Sequence, residues 1–152
     1  MRAALLALAA GCGSSSGPAG LPDPALGTVI GFAATYDGLA LEVHAAWIGW
    51  SIEPVPGPRL DALRIRVANA ADRPRAFDPR AVRIETVDGL QWPRIVAGND
   101  PELRPMTLAT FEDASGWIVF RVPAASKPVA VVWLAAPGLE LRIPLPEPTK
   151  AG

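Results

Sequence analysis

The sequence has one cysteine and one histidine in 152 residues, and this scarcity excludes several kinds of chemistry. A single cysteine cannot form a disulfide within the chain, so an exported domain with this sequence must be stabilised by its core alone. Transition-metal sites need several His, Cys or Met ligands, which one histidine and two methionines do not supply. We therefore predict no metal ion, no cofactor and no catalytic residues.

The sequence also lacks a charge excess and a long apolar run. Its formal net charge is −1, whereas nucleic-acid-binding domains are strongly basic, so we predict no nucleic-acid partner. The apolar run at residues 3–10 is too short to cross a bilayer, since a spanning helix needs about 20 apolar residues. The 17 prolines, spread along the chain, leave no room for a long helix.

The first eleven residues have the parts of a secretory signal. Arg2 supplies a positive charge, residues 3–10 are apolar, and small residues precede Cys12. The stretch LAAGC resembles the lipobox of bacterial lipoproteins, in which the cysteine is acylated and becomes the mature N-terminus. Leu8 lies four residues before Cys12, where the lipobox favours leucine at three. An ordinary cleaved signal followed by a chance cysteine is the alternative.

Composition then divides the rest of the chain. Residues 13–27, GSSSGPAGLPDPALG, have the glycine and serine content of a flexible linker. We predict a lipoprotein signal peptide at 1–11, the lipidated Cys12 with its linker at 12–27, one domain at 28–146 and a tail at 147–152. Two or three acyl chains on Cys12 would anchor the domain to the membrane from the extracytoplasmic side, in the cell envelope.

Short apolar runs separated by prolines and turn residues are typical of an all-β domain. About seven such runs follow one another at the spacing of a β-sandwich, which is the fold that we predict. The runs are residues 28–35, 39–47, 63–67, 81–92, 116–123, 128–134 and 139–145. Residues 128–134, PVAVVWL, are almost continuously apolar, which is typical of a central strand covered on both faces.

The run LALEVHAAW alternates with period two, which predicts a half-buried strand. One face carries Leu39, Leu41, Val43, Ala45 and Trp47, so Trp47 is predicted to lie in the core. The same region also fits one face of a helix, which we keep as the alternative. His44 lies on the opposite face, where we interpret it as a surface or edge histidine; a ligand contact or a catalytic role are the alternatives.

Two further segments have a predicted conformation. Residues 36–38, YDG, form a turn, and Asp88-Gly89 forms a two-residue hairpin turn because both positions tolerate positive φ. Residues 93–115 show little periodicity, so they form a functional or covering loop, or contain a short helix or edge strand.

Several motifs together resemble a family of bacterial extracellular lipoprotein domains with a telokin-like, immunoglobulin-like sandwich, which includes a secreted immunoprotective antigen. The family pattern is a strand ending in Asn, a turn with D.P..F.P, a second strand, then Asp-Gly and an aromatic residue. The matching positions are Asn69, Asp72, Pro74, Phe77, Pro79, Asp88, Gly89, Trp92, Gly116, Phe120, Val122, Pro123 and the KPVAVVW stretch at 127–133. The chain departs from the pattern at Ala68 and Pro93. The resemblance implies an immunoglobulin-like fold and no known catalysis.

The motif residues have structural explanations. The Asn69 side chain can cap a turn. Phe77 and Phe120 are expected to anchor the core, and Gly116 to allow a bulge or a close backbone approach.

Three sets of residues are candidates for binding. Arg73, Arg75 and Arg80, with Arg83 nearby, form an arginine-rich stretch that could contact an anion or a partner, or simply form a solvated face. Trp50 and Trp92 lie next to proline-rich breaks and could contact a partner or stack on a sugar. The third set consists of polar residues of the 93–115 segment that could bind calcium or remain a solvated acidic loop: Asn99, Asp100, Glu102, Glu112 and Asp113.

These observations predict a non-catalytic, membrane-tethered domain that binds a protein or another envelope component. A carbohydrate- or small-ligand-binding module that uses the tryptophans and the 93–115 loop is the first alternative. A hydrolase with a pair of carboxylates in that loop is the second.

Overall fold

The computed structural model describes residues 27–49, 59–96, 101–147 and 149–150. The predicted signal peptide, Cys12, nearly all of the linker, and Trp50 lie outside these residues. The described parts contain a 3-10 helix, Pro79–Ala81, and twelve strands. The strands are β1 Gly27–Ile30, β2 Ala33–Tyr36, β3 Leu39–Ile48, β4 Arg59–Asn69, β5 Arg75–Phe77, β6 Val82–Thr86, β7 Gln91–Ile95, β8 Met106–Leu108, β9 Asp113–Val122, β10 Pro128–Ala136, β11 Leu139–Pro144 and β12 Thr149–Lys150.

The all-β class is confirmed, and the number of about seven strands is wrong. Gly31, with φ of +59°, divides the predicted strand 28–35 into the hairpin of β1 and β2. The 93–115 segment contains β8, which pairs only with the three-residue β5 among the described strands, so its edge-strand alternative is confirmed. Such short strands escape prediction because three residues are too few to establish an alternation.

The strands form two layers over one core. The hydrogen-bonded order is β1-β2-β3-β4-β9-β7-β6-β10-β11, with β12 parallel to β3. Strand β7 joins the layers, since Gln91–Pro93 pair with β6 and Arg94 and Ile95 pair with β9. Buried side chains of β3, β4 and β9 pack with those of β6, β10 and β11 in a single apolar cluster. The layers therefore form a β-sandwich.

A β-bulge changes the predicted faces of β3. Val43 pairs with Ile65 and Ala45 with Arg64, so His44 is the extra residue of the bulge. Leu39, Leu41 and Val43 are buried as predicted, but the next buried residue is Ala46. The prediction that Ala45 and Trp47 lie in the core is therefore wrong. The bulge shifts the alternation by one residue, and Trp47 is half-buried on the other face of the strand.

The β6–β7 turn also differs from the prediction. The N–H of Gly89 donates to the carbonyl of Thr86 at 2.9 Å, and the N–H of Thr86 donates to the carbonyl of Leu90 at 2.9 Å. Val87, Asp88 and Gly89 therefore form a three-residue loop, in which Gly89 adopts the positive φ of +84°. This is the common turn with a glycine bulge, so Asp88 does not need the left-handed conformation.

Strand β10 is covered on both faces, as predicted. Val131 points into the core, whereas Val132 lies between Arg83 of β6 and Arg142 of β11 in the cross-strand register. Val132 is nevertheless 0% exposed. The aliphatic stems of long charged side chains on neighbouring strands can provide such a cover.

Gly116 confirms the predicted close backbone approach. A Cβ atom at this position would lie 2.8 Å from the carbonyl oxygen of Pro101 and 3.0 Å from Cγ of Leu103. The backbone of Trp117 exchanges hydrogen bonds with this segment, through Pro101 and Leu103. Leu103 is consequently placed in the core beside β9.

Asn69, the last residue of β4, has a buried side chain that binds two loops at once. Its Nδ2 donates to the carbonyls of Arg73 at 2.9 Å, Leu108 at 3.0 Å and Ala109 at 3.2 Å. Its Oδ1 accepts from the N–H of Ala71 at 2.9 Å. The residue is 1% exposed. The predicted turn cap is confirmed, and it also reaches the β8–β9 loop.

Replacement of Asn69 by alanine should lower the free energy of unfolding by about 3 kcal/mol, because each buried backbone group left unsatisfied costs about 1–3 kcal/mol. Asn69→Asp should also destabilise the protein at neutral pH, since its carboxylate would face three carbonyl oxygens. Burial would raise the pKa of that carboxyl group, so its stability should recover as the pH falls through the raised pKa. Denaturant unfolding measures both effects. The exposed neighbour gives the control Ala70→Ser, and a loss no larger than in this control would contradict the role of the amide.

Candidate functional site

Three loops meet at one end of the sandwich, which we call the Asn69 end. It comprises residues 36–39, 69–75 and 109–113. The predicted turn at 36–38 is confirmed, with Asp37 at φ of +49° and Gly38 at +82°. The N–H of Ala70 donates to the carbonyl of Gly38 at 2.8 Å, and a Cβ atom on Gly38 would lie 2.7 Å from that of Ala71. These contacts fix the first two loops against each other, and the side chain of Asn69 ties the second loop to the third.

Phe111 is the most exposed large apolar side chain of this end. It is 83% exposed and has φ of +65°, a backbone conformation that non-glycine residues rarely adopt. Its N–H donates to the carbonyl of Asn69 at 2.7 Å, and the N–H of Asn69 donates to the carbonyl of Glu112 at 2.9 Å. The carboxylate of Glu112 closes the same loop by accepting from the N–H of Ala109 at 2.7 Å. These bonds hold Phe111 in its strained position.

Sequence reasoning missed Phe111 as a candidate. It lies in the 93–115 segment, which has no periodicity to place it. A lone aromatic residue among polar neighbours in a loop was the one available signal.

The structure brings two of the three predicted arginines together. Arg73 Nη2 donates to Asp37 Oδ2 at 2.5 Å, and Arg75 donates to the backbone carbonyl of the same residue and lies 3.3 Å from its carboxylate. Arg80 lies apart, where it binds Asp78 at 2.7 Å beside the 3-10 helix. Each guanidinium therefore already has a carboxylate partner, with which an external anion would have to compete.

Trp92 borders an apolar groove between β7 and β9. The groove has a volume of about 400 Å³ and is lined by Trp92, Pro93, Ile95, Arg121 and Pro123. The indole Nε1 donates to Thr86 Oγ1 at 3.1 Å, and the ring is half-buried against the core. Trp92 thus has both a structural role and a face on the groove, whereas Trp50 lies outside the described residues.

A pair of tryptophans lies on the outer face of the β3–β4–β9 layer. The rings of Trp47 and Trp117 meet edge to face, with centroids 5.2 Å apart. The guanidinium carbon of Arg64 lies 5.5 Å from the centroid of Trp117. Sequence reasoning missed this pair because the bulge at His44 carries Trp47 to the outer face.

A chain of charged groups crosses the same face. His44 Nε2 lies 3.0 Å from Glu42 Oε1, Arg66 lies 3.4 Å from that oxygen, and Arg66 Nε donates to Asp113 at 2.8 Å. The hydrogen bond from His44 holds the pKa of Glu42 below its ordinary value, and Arg66 lowers it further. His44 is exposed, as predicted, and its ring contacts the carboxylate of Glu42.

The residues considered as alternative calcium ligands are dispersed. Glu112 accepts a hydrogen bond from the backbone N–H of Ala109, and Asp113 accepts one from Arg66. Glu102 forms a backbone bridge to Trp117. Asn99 and Asp100 lie outside the described residues. Within the described ranges, no three acidic, histidine or cysteine side chains are placed to hold a metal ion together. The same ranges include no helix with the length and hydropathy of a membrane span.

The chain matches no protein-family model and no curated protein. It is similar in structure to MPT63, a secreted protein of Mycobacterium tuberculosis, with a TM-score of 0.56 and 18% identity over 76% of this chain and 85% of that one. YjhA of Bacillus subtilis gives a TM-score of 0.57 and 8% identity over 78% and 98% of the two chains.

The third similar structure is YcdA of Bacillus subtilis, a candidate lipoprotein by its name. It has a TM-score of 0.56 and 10% identity over 68% of this chain, which spans 33% of the length of YcdA. At these identities the likeness establishes a shared fold. The protein thus belongs among all-β sandwich domains.

Acidification should lower the free energy of unfolding, because it protonates carboxylates that are paired with arginines in the folded state, such as Asp78 with Arg80. Hydrogen bonds from the Arg80 side chain hold the pKa of Asp78 below its ordinary value. Because the pKa in the folded state is lower than in the unfolded state, the stabilisation is present at neutral pH and is lost as the pH falls through the folded pKa. Asp78→Asn should therefore reduce the dependence of unfolding free energy on pH below about pH 4.

The matched control is Asp72→Asn, since the Asp72 side chain is 98% exposed and lies 3.9 Å from Arg73. Unfolding by denaturant at several pH values gives the measurement. Identical pH profiles for the two variants would show that the Arg80 pair does not stabilise the folded state.

Proposed function

We propose that this chain is an extracytoplasmic lipoprotein whose immunoglobulin-like sandwich binds a protein or another envelope component without catalysing a reaction. The proposal joins three observations: the LAAGC stretch that ends at Cys12, the sandwich, and the exposed loops at the Asn69 end. The motifs from Asn69 to Trp92 support membership of the telokin-like family.

The names of two structural neighbours agree with a location outside the cytoplasm. MPT63 is named as a secreted protein, and YcdA as a candidate lipoprotein. The domain has no intrachain disulfide available, since Cys12 is the sole cysteine. An apolar core shared by both layers supplies the stability that such a domain needs.

The exposure and positive φ of Phe111 are the observations on which the proposed binding role rests. Because the side chain of Phe111 is exposed, it adds little hydrophobic stabilisation to its own domain. Its left-handed backbone conformation costs about 1–2 kcal/mol of folding free energy. Such strain is retained where the surrounding structure imposes it, often at functional sites. The Asn69 end presents the ring on loops that are already ordered, which reduces the entropy lost on binding.

The lipid anchor is tested by expression of the full chain and of Cys12→Ser in a bacterium that processes lipoproteins. The wild-type chain should be cut before Cys12, carry the added mass of acyl chains and fractionate with membranes. Cys12→Ser should lose both the added mass and the membrane association, because no thiol remains to accept lipid. Intact-mass spectrometry with fractionation measures both, and Ser14→Ala is the matched control.

The proposed anchor would be contradicted if the wild-type chain were soluble and cut at another position, and if Cys12→Ser changed neither its mass beyond the substitution nor its fractionation. That result would identify a freely secreted domain. It would direct the search for partners to diffusible molecules.

The groove beside Trp92 favours a second candidate function, the binding of a carbohydrate or small ligand. Its walls are apolar apart from the exposed Arg121, and its volume of about 400 Å³ falls in the range of small-molecule sites. A sugar ring could pack on Trp92 while its hydroxyl groups bind the guanidinium.

Titration of tryptophan fluorescence with soluble cell-wall glycans tests this candidate. A saturable shift that is lost in Arg121→Ala, and kept in the control Arg64→Ala on the outer face, would support it. The absence of a shift with every glycan, in a folded wild-type protein, would count against it.

A further inference from the structure

We infer that Phe111 contacts the bilayer to which Cys12 anchors the chain, so that the Asn69 end faces the membrane. The inference rests on the lipid anchor put forward under Proposed function. It assigns a lipid surface as the occupant of the exposed ring. Three observations carry it: where the linker joins the domain, how long the linker is, and which chemical groups surround Phe111.

The linker joins the domain at the Asn69 end. Gly27 opens β1 and pairs with Tyr36, Leu39 pairs with both Tyr36 and Asn69, and these four residues form one row across the layer. Neighbouring strands lie about 4.8 Å apart, so Gly27 and Asn69 are roughly 15 Å apart. The N–H of Phe111 is 2.7 Å from the carbonyl of Asn69. The ring therefore lies on the same end as the point where the linker arrives.

The linker is short on the scale of the domain. Residues 13–26, which lie outside the described part of the chain, separate Cys12 from Gly27, and their composition is that of the flexible linker expected from the sequence. Such a chain has a root-mean-square length of about 5–6 Å times the square root of the residue number, or roughly 20 Å here. An acylated Cys12 would thus keep the Asn69 end within reach of the bilayer surface.

The groups around Phe111 suit an interfacial contact. Its neighbour Glu112 accepts a hydrogen bond from the N–H of Ala109, and Asp113 is paired with Arg66. Asp37, at the same end, is paired with Arg73 and Arg75. Asp72, at the same end, is 98% exposed and lies 3.9 Å from Arg73. The other three carboxylates have closer partners within the protein, so they repel anionic headgroups less than free carboxylates would. The apolar ring of Phe111 is 83% exposed at this end.

A single phenylalanine binds a membrane weakly on its own, but the lipid anchor makes its contact with the bilayer more favourable. Once Cys12 holds the chain at the surface, the contact of the ring becomes an intramolecular event at a high effective concentration. We therefore expect Phe111 to orient the anchored domain. A chain without acyl groups should show no measurable binding through this residue.

The experiment uses the full acylated protein in vesicles of phosphatidylcholine and phosphatidylglycerol. Thr110→Cys places an environment-sensitive fluorophore beside the ring, and Val87→Cys places the same label at the opposite end, where Val87 is 70% exposed. In the acylated chain the sulfur of Cys12 already carries the lipid, so it is not a free thiol and does not react with the label. Nitroxide-labelled lipids should quench the label at position 110 at least twofold more than the label at position 87.

Two further variants separate the ring from the loop. Phe111→Gly removes the apolar group and relieves the positive φ, so the domain should remain folded. In this variant, quenching at position 110 should fall to the level seen at position 87. Phe111→Leu keeps an apolar side chain on the same backbone and should retain most of the quenching.

Each other outcome overturns the inference at an identifiable step. Equal quenching at the two positions, in a chain whose mass shows acylation, would leave the anchor intact and overturn the membrane contact of Phe111. Strong quenching at position 110 that persists in Phe111→Gly would show that other residues orient the domain. A wild-type chain without acyl mass would overturn the anchor and this inference together.

Discussion

The buried amide of Asn69 is the interaction on which the candidate binding end depends. One side chain satisfies the N–H of Ala71 and the carbonyls of Arg73, Leu108 and Ala109, which belong to two loops far apart in sequence. Its backbone pairs with Phe111 and Glu112 as well. Backbone groups buried without a partner are costly, so the two loops must either accept this arrangement or open to water. The strained conformation of Phe111 persists because these bonds leave its backbone little freedom.

The opposite end of β4 is held in a different way. Asp61, which is 0% exposed, pairs with Arg59 through two hydrogen bonds and accepts a third from the N–H of Gly49. Arg59 also donates to the carbonyls of Ala124 and Ser126, so the ion pair fastens the β3–β4 and β9–β10 connections. A buried carboxylate is tolerated where such hydrogen bonds compensate its desolvation. The strand thus carries one buried polar side chain near each end, and its fully buried residues between them are apolar. The loops at both ends are tied to the same central strand.

Local alternation was enough to predict the strands around 63–67, 116–123 and 139–145, because those segments keep one face in the core over their whole length. The turn at 36–38 was also predictable, since Asp-Gly accommodates two positive φ angles. The bulge at His44 was not, because it depends on the pairing of β3 with β4, which no single segment reveals. The same reason explains the wrong placement of Trp47 and, with it, the missed contact between Trp47 and Trp117. Phe111 escaped prediction because its significance comes from exposure, backbone strain and the bond to Asn69, and all three exist only in the folded chain.

Amide hydrogen exchange in the wild-type protein and in Asn69→Ala is the most direct test of this account. If the amide holds both loops, the N–H groups of Ala71 and Phe111 should lose protection together in the variant. The N–H of Gly49, bound to Asp61 at the other end, should exchange as in the wild type. Loss of protection at Ala71 alone would contradict the account, because Phe111 would then be positioned without Asn69.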